Sequence, residues 1–253
     1  MTPSVLATDS PHRTGARHAV YFAPPPHGAW WRFGCAWLGR DPLSGRPVEH
    51  PRVPGVPAAT IAEITADARR YGFHATLKPP FVLGPGLDKA DLYQAVESLA
   101  RSHRPFSLGA LEVRTLGNFI ALRPAEAPPQ LQSLARDCVE HLDPLRAAPP
   151  GAELARRRGA TLTSRQDELL ERWGYPFVLD EWRFHMTLTR SLSIGEAKPL
   201  MDWLRRQVVR LNAEPLSVDA LCVFEQSVPD APFRLARRIG FDGSVNDHAA
   251  GWR

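Results

Sequence analysis

Apolar residues recur along this chain with two different periods, and the changes between them mark out its elements. Ala19–Ala23 reads as a strand stopped by Pro24, Pro25 and Pro26. Trp30, Phe33, Gly34, Trp37 and Leu38 then fall at helical spacing. Five prolines between 41 and 57 predict a loop. A short helix is expected over Ala58–Arg69, and a strand over Phe73–Leu77 closed by Pro79 and Pro80. Asp88, with Asp91 three residues on, can cap a helix whose stripe is Leu92, Ala95, Val96, Leu99 and Ala100. Two strand-like runs, Phe106–Leu116 and Asn118–Leu122, meet at the Gly117-Asn118 turn signal. Leu131, Leu134, Ala135, Cys138, Val139 and Leu142 predict another helix.

Residues 144–163 are rich in Pro, Gly and Arg and read as an exposed connection. Ser164, with Asp167 three residues on, predicts a helix reaching Trp173. A strand over Phe184–Leu188, a helix from Ser193 and Glu196, and strands over Leu216–Phe224 and Phe233–Ile239 complete the order. Residues 1–16 and 243–253 are polar and unpatterned, and read as tails. The elements alternate strand and helix twice over. This predicts an α+β fold with mainly antiparallel sheets, in halves of about 17–104 and 105–242. A length of 253 residues suits one large domain or two small lobes sharing a core.

Composition narrows the function classes. With 43% hydrophobic and 23% charged residues the chain is of ordinary globular type. No apolar run approaches a membrane span, and the first sixteen residues lack the apolar segment of a secretory signal, so a cytoplasmic location is expected. Cys35, Cys138 and Cys222 are far apart and form no Cys-x-x-Cys pair, so they read as buried thiols and no metal is expected. A net charge of +4 favours an anionic substrate without arguing for nucleic acid. Arg156, Arg157 and Arg158 offer a contact to phosphate, with a solvated loop as the stronger reading.

One motif carries chemistry. Phe73-His74-Ala75-Thr76-Leu77 recurs as Phe184-His185-Met186-Thr187-Leu188. His and Thr two apart on a strand share one face, while the flanking Phe and Leu face the core. A bare His-x-Thr is weak: nine His and eleven Thr give about 0.4 such triplets by chance, and His12-Arg13-Thr14 is one without apolar flanks. Two matching five-residue frames, one per half, are a much stronger signal. A lone strand histidine is ordinarily structural. Two imidazoles offered to one surface can act as acid and base near neutral pH, with the hydroxyls bonding phosphoryl oxygens. By the same period Lys78 would add a positive charge on that face, the alternative being a surface lysine at a strand end. Tyr21, on the first strand, would flank a ligand or be a core tyrosine.

At these residues the chain resembles the 2H phosphoesterase superfamily. Tyr21–Pro25, Trp37–Arg40, Tyr71–Phe81, Phe184–Thr189, Val223–Gln226 and Phe233–Leu235 resemble more narrowly a branch found beside bacterial phosphonate-degradation genes. The resemblance covers roughly residues 17–240. It implies two pseudo-symmetric lobes, each placing a His-x-Thr strand at a central cleft, and hydrolysis of a cyclic phosphodiester without a metal or other cofactor. It further implies His74 and His185 as the acid–base pair, Thr76 and Thr187 as phosphate ligands, and a cyclic ribose phosphate or a 2′,3′-cyclic nucleotide as substrate. Competing readings are an RNA-end or 2′–5′ phosphodiesterase, which needs a basic groove, and a non-catalytic binder of phosphorylated metabolites. A metalloenzyme lacks a His-x-x-x-His pair or carboxylate partner in the sequence.

Overall fold

The computed structural model describes residues 15–159 and 162–249. His12-Arg13-Thr14 and most of the N-terminal segment lie outside the described residues. The α+β architecture is as expected: eight helices and three antiparallel sheets among the described residues. The largest sheet has the order β10-β9-β8-β1-β2 and joins β1 (Arg17–Phe22) and β2 (Ala75–Phe81) to β8 (Ala220–Gln226), β9 (Arg234–Gly240) and β10 (Val245–Asp247). A second sheet contains β4 (Leu111–Leu116), β5 (Phe119–Pro124) and β6 (Met186–Ser191). A two-stranded ribbon pairs β3 (Phe106–Ser107) with β7 (Ser217–Val218).

The large sheet thus draws strands from both ends of the chain, and β10 takes Val245–Asp247 out of the expected C-terminal tail by pairing with Arg237–Ile239. The helices are α1 (Ala29–Leu38), α2 (Ala58–Ile64), α3 (Ala66–Tyr71), α4 (Lys89–Arg101), α5 (Pro129–Leu142), α6 (Gly151–Arg158), α7 (Ser164–Trp173) and α8 (Ile194–Leu211).

Several expectations need correcting. The single helix over Ala58–Arg69 is two, broken at Thr65. The Thr65 hydroxyl donates to the Ile61 carbonyl at 2.7 Å, a local bond that competes with helix continuation. Strand β2 runs through Pro79 and Pro80 instead of stopping there, because it is the edge strand, where a missing N–H costs no ladder bond. Residues 144–163 are no plain connection, since α6 lies within them. The next helix is capped by Thr163 with Gln166, one residue earlier than expected. Asp88 with Asp91 and Ser193 with Glu196 do form capping boxes. All three cysteines are buried. No helix among the described residues is long and apolar enough to cross a membrane.

One core joins the two halves. Phe73, Leu77, Phe184 and Leu188, the apolar flanks of both motif frames, belong to the same buried cluster. Two indoles reinforce the join: Trp37 of α1 donates to the Leu188 carbonyl at 2.8 Å, and Trp182 donates to the Thr76 carbonyl at 2.8 Å. Arg40 fastens the end of α3 by donating to the Arg69, Arg70 and Phe233 carbonyls. Gly34 of α1 sits against Phe73 so closely that a Cβ would lie 2.1 Å from its ring. Gly34→Ala is therefore expected to destabilise the protein by about 1–3 kcal/mol, the range for overpacking a core. Urea unfolding of the variant checks this, and unchanged stability would contradict the packing.

Candidate active site

Both frames show the same alternation: Phe73, Ala75 and Leu77 are buried between half-buried His74 and Thr76, and Phe184, Met186 and Leu188 between half-buried His185 and Thr187. The strands start one residue beyond each histidine, at Ala75 and Met186. The imidazoles therefore stand at the strand mouths and not within the ladders. Each ring makes a local bond instead: His74 Nδ1 donates to the Gly72 carbonyl at 2.9 Å, and His185 Nδ1 to the Arg183 carbonyl at 2.8 Å. A carbonyl only accepts, so Nδ1 must carry hydrogen and Nε2 of the neutral ring is left as an acceptor. The Thr76 hydroxyl lies 3.1 Å from His74 Nε2 and can donate to it. Gly72 has φ +82°, and a Cβ there would meet Pro42 at 2.9 Å, so glycine is what lets the chain turn beneath His74.

His74, Thr76, His185 and Thr187 line a single cavity of about 300 Å³, the small end of the range for ligand sites. Tyr21 lines it too, stacked on His74 with ring centroids 3.9 Å apart. Lys78 does not line it, contrary to the period-two expectation. A bulge in the β1–β2 pairing places Thr76 opposite Tyr21 but Lys78 opposite Val20, so Leu77 is the extra residue and Lys78 turns to the other side. There its ammonium is buried and donates to the Val139 carbonyl at 3.1 Å and to Asp143 at 3.2 Å. Burial pulls the Lys78 pKa down to about 8 against the opposing pull of Asp143. This lysine docks α5 onto β2.

The structure also brings forward residues that sequence reasoning passed over. Arg17, Arg157, Arg183, Glu181 and Trp182 line the cavity. Arg157 was expected in a solvated loop, but α6 carries it to the cavity wall. There it donates to Glu153 at 2.7 Å and to the Gly174 carbonyl at 2.9 Å. Its neighbour Arg158 does face solvent, paired with Asp167. A helical period within the Arg run would have separated the two. Nothing local marks Arg17 or Trp182.

Electrostatics set the protonation of the pair. Burial drives the His74 pKa down to about 4, its bond to Gly72 opposes this, and the nearby His185 lowers it further. Burial also lowers His185, with the Arg183 carbonyl opposing and the Arg123 charge adding to the shift. Both rings are thus held neutral, and a proton on either disfavours one on the other. Among the described residues no group of three or more His, Cys, Asp or Glu is placed to hold a metal ion.

Two histidine-threonine pairs facing one cavity between antiparallel sheets define the class of site. The chain belongs to the family described as "Protein of unknown function (DUF1045)", whose model matches residues 76–234, more than half of it. It is 40% identical over 232 residues to "Ribose 1,5-bisphosphate phosphokinase PhnN" of Janthinobacterium sp. (strain Marseille), and 38% identical over 224 residues to the protein of that name from Laribacter hongkongensis (strain HLHK9). These matches cover 90% and 88% of this chain but 51% of each relative, so the chain spans about half their length. Among solved structures it is similar to E. coli LigT complexed with 3′-AMP. That match has 15% identity and a TM-score of 0.39, and covers 90% of this chain and 98% of that one. A structure described as a phosphoesterase matches at 16% identity with a TM-score of 0.35, over 88% and 94% of the two chains.

Two outcomes are expected. Trp182→Phe keeps the ring but removes the donor to Thr76, and should lower unfolding free energy by about 1 kcal/mol in a denaturant titration. Stability should also fall with pH through His74. Its folded pKa lies below the unfolded value of about 6.5, so its contribution is complete above pH 6.5 and is lost as pH falls towards 4. Melting temperatures measured across that window should decline, and His74→Gln should flatten the decline. An unaltered slope would remove His74 as its source.

Proposed function

We propose that this chain is a two-histidine phosphoesterase that opens a cyclic phosphodiester of a ribose derivative. The observation that carries this reading is the meeting of both Phe-His-x-Thr-Leu frames at one cavity. Water attacks phosphorus; one imidazole of the pair, neutral at the start, takes the proton from the water. The bond from phosphorus to one ring ester oxygen breaks, and the other imidazole, protonated, supplies that oxygen with a proton. The product is a phosphate monoester beside a free hydroxyl, and exchange with solvent restores the pair. An anionic substrate raises the pKa of both imidazoles, which is how one of them becomes charged for the acid role. Thr76 and Thr187 donate to the non-bridging oxygens, where transition-state charge collects.

The names of the curated relatives support a ribose phosphate as the substrate class. Their phosphokinase activity is not carried over, because this chain has no Gly-x-x-x-x-Gly-Lys-Ser/Thr loop to cradle a nucleotide triphosphate. The resemblance to the phosphonate-associated branch supports a role in phosphonate metabolism. A cavity of about 300 Å³ favours a small molecule over RNA. A non-catalytic binder would have no use for two imidazoles at one surface. The same reading makes the reaction independent of added metal.

The test is turnover of 2′,3′-cyclic nucleotides, ribose cyclic phosphates and an aryl phosphodiester, with EDTA present. His74→Ala and His185→Ala should each lower kcat by about 10²–10⁴-fold, with a bell-shaped pH profile in the parent enzyme. Full activity in either variant removes that residue from the mechanism. Loss of turnover on chelation removes the metal-free one.

A further inference from the structure

One charge beside the catalytic pair has no partner. Arg123 lies on β5, whose ladder with β6 sets Ala121 opposite Thr187 and Leu122 opposite Met186. One step further along that register, Arg123 faces His185. Residues opposite each other in an antiparallel pair share one face, with β-carbons about 4.5–5.5 Å apart. His185 and Thr187 line the cavity, so Arg123 stands on the cavity side of the small sheet, beside His185. Its Nε is buried without a hydrogen-bond partner, and among the described residues no ion pair reaches its guanidinium. A buried donor left without a bond is destabilising.

The expected counter-charge is Glu112, which sits opposite Arg123 on β4. Its carboxylate is bonded instead to Arg114, two residues along the same strand. The other charges around His185 are engaged elsewhere. Arg183 donates to the Asp180 and Trp182 carbonyls, Arg157 is paired with Glu153, and Arg17 is bonded to Gln226. The Glu181 carboxylate accepts from Gln166 at 2.9 Å. Across the cavity stands the neutral ring of His74. Among the described residues no carboxylate is bonded to His185 or to Arg123.

We propose that Arg123 is a positioning residue for the reaction: its unpaired guanidinium, set across the ladder from His185, disfavours a proton there and so fixes the pH range in which the two imidazoles divide the acid and base roles. Two like charges this close repel more strongly where water is excluded. Burial is the main cause of the low His185 pKa; the Arg183 carbonyl opposes it and the Arg123 charge adds to it. The lowering at His74 comes from burial and from His185 instead, with aromatic rings around it. Two imidazoles in matching frames thus differ by one neighbouring charge. The role of Arg123 in turnover rests on the two-histidine reading; its electrostatic hold on His185 does not.

The hold is measured without substrate. The histidine ring signals of the full chain are titrated by NMR, the His185 signal being identified by its loss in His185→Gln. The proteins are the parent, Arg123→Gln, Arg123→Lys and Arg114→Gln, each checked for its melting temperature. In Arg123→Gln the His185 titration should move to higher pH, and Arg123→Lys, which keeps the charge, should stay near the parent. Arg114→Gln leaves Arg123 as the remaining cation beside Glu112, so it should move His185 in the same direction without touching Arg123. An unmoved His185 in Arg123→Gln, or the same shift in the Lys variant as in the Gln variant, overturns the proposal.

In parallel, pH profiles of kcat and KM are compared for the parent and Arg123→Gln on whichever cyclic phosphodiester turns over. One limb of the profile should move to higher pH while KM stays within about twofold. Turnover with a profile that Arg123→Gln leaves in place overturns the role of Arg123 and leaves the phosphoesterase reading standing. A shifted His185 titration in a chain that turns over none of the compounds overturns the phosphoesterase reading and leaves the hold on His185.

Discussion

The site depends on one join: the segment leading into His185 is tied to the strand that follows His74. Trp182 supplies it, donating its indole N–H to the Thr76 carbonyl while its ring closes the cavity. The apolar flanks of both frames lie behind it in one buried cluster, and Trp37 holds β6 from the far side through the Leu188 carbonyl. Each imidazole is set by a short local bond to a carbonyl two residues back, but the distance between the imidazoles is a property of this shared core. The two motifs lie on different sheets, so no backbone ladder spaces them. Side-chain packing and two indole bonds do that work, and small errors in them would be felt directly in the geometry of proton transfer.

Aromatic enclosure gives the site its acid–base character. Tyr21 stacks on His74, Tyr71 and Phe224 lie within 6.4 Å of it, and Phe119 is near His185. These rings remove water from the imidazoles and favour their neutral forms. The guanidiniums at the cavity wall bear on the same rings from the other direction: on the proposed reading, an anionic substrate drawn in by them would raise the histidine pKa values and so couple its own entry to activation of the acid.

Lys78 and Arg157 show where one-dimensional reasoning stops. Period two places Lys78 beside Thr76, and a single extra residue in the β1–β2 pairing reverses that. The resulting buried ammonium is matched by Asp143 and the Val139 carbonyl near the end of α5, a partnership of residues more than sixty positions apart. Arg157 makes the opposite move. It stands in a stretch whose composition reads as exposed connection, yet the step of about 100° between successive helical residues separates it from Arg158 in environment, sending one to the cavity and the other to solvent.

The sequence by itself determined the elements whose signals are local. Helix caps at Asp88 and Ser193 depend on residues three apart, and apolar stripes depend on a period fixed by backbone geometry. The two Phe-His-x-Thr-Leu frames were legible for the same reason, because alternation within five residues decides which side chains face the core. Only the tertiary structure decided that the frames meet, that Tyr21 lies against His74, that β10 completes the large sheet, and that Arg17 and Arg157 reach the cavity. Those outcomes rest on contacts between distant segments, on bulges that shift register by one residue, and on which strand takes the sheet edge. Each is set by the packing of the whole chain, and no short window of residues carries the information that selects it.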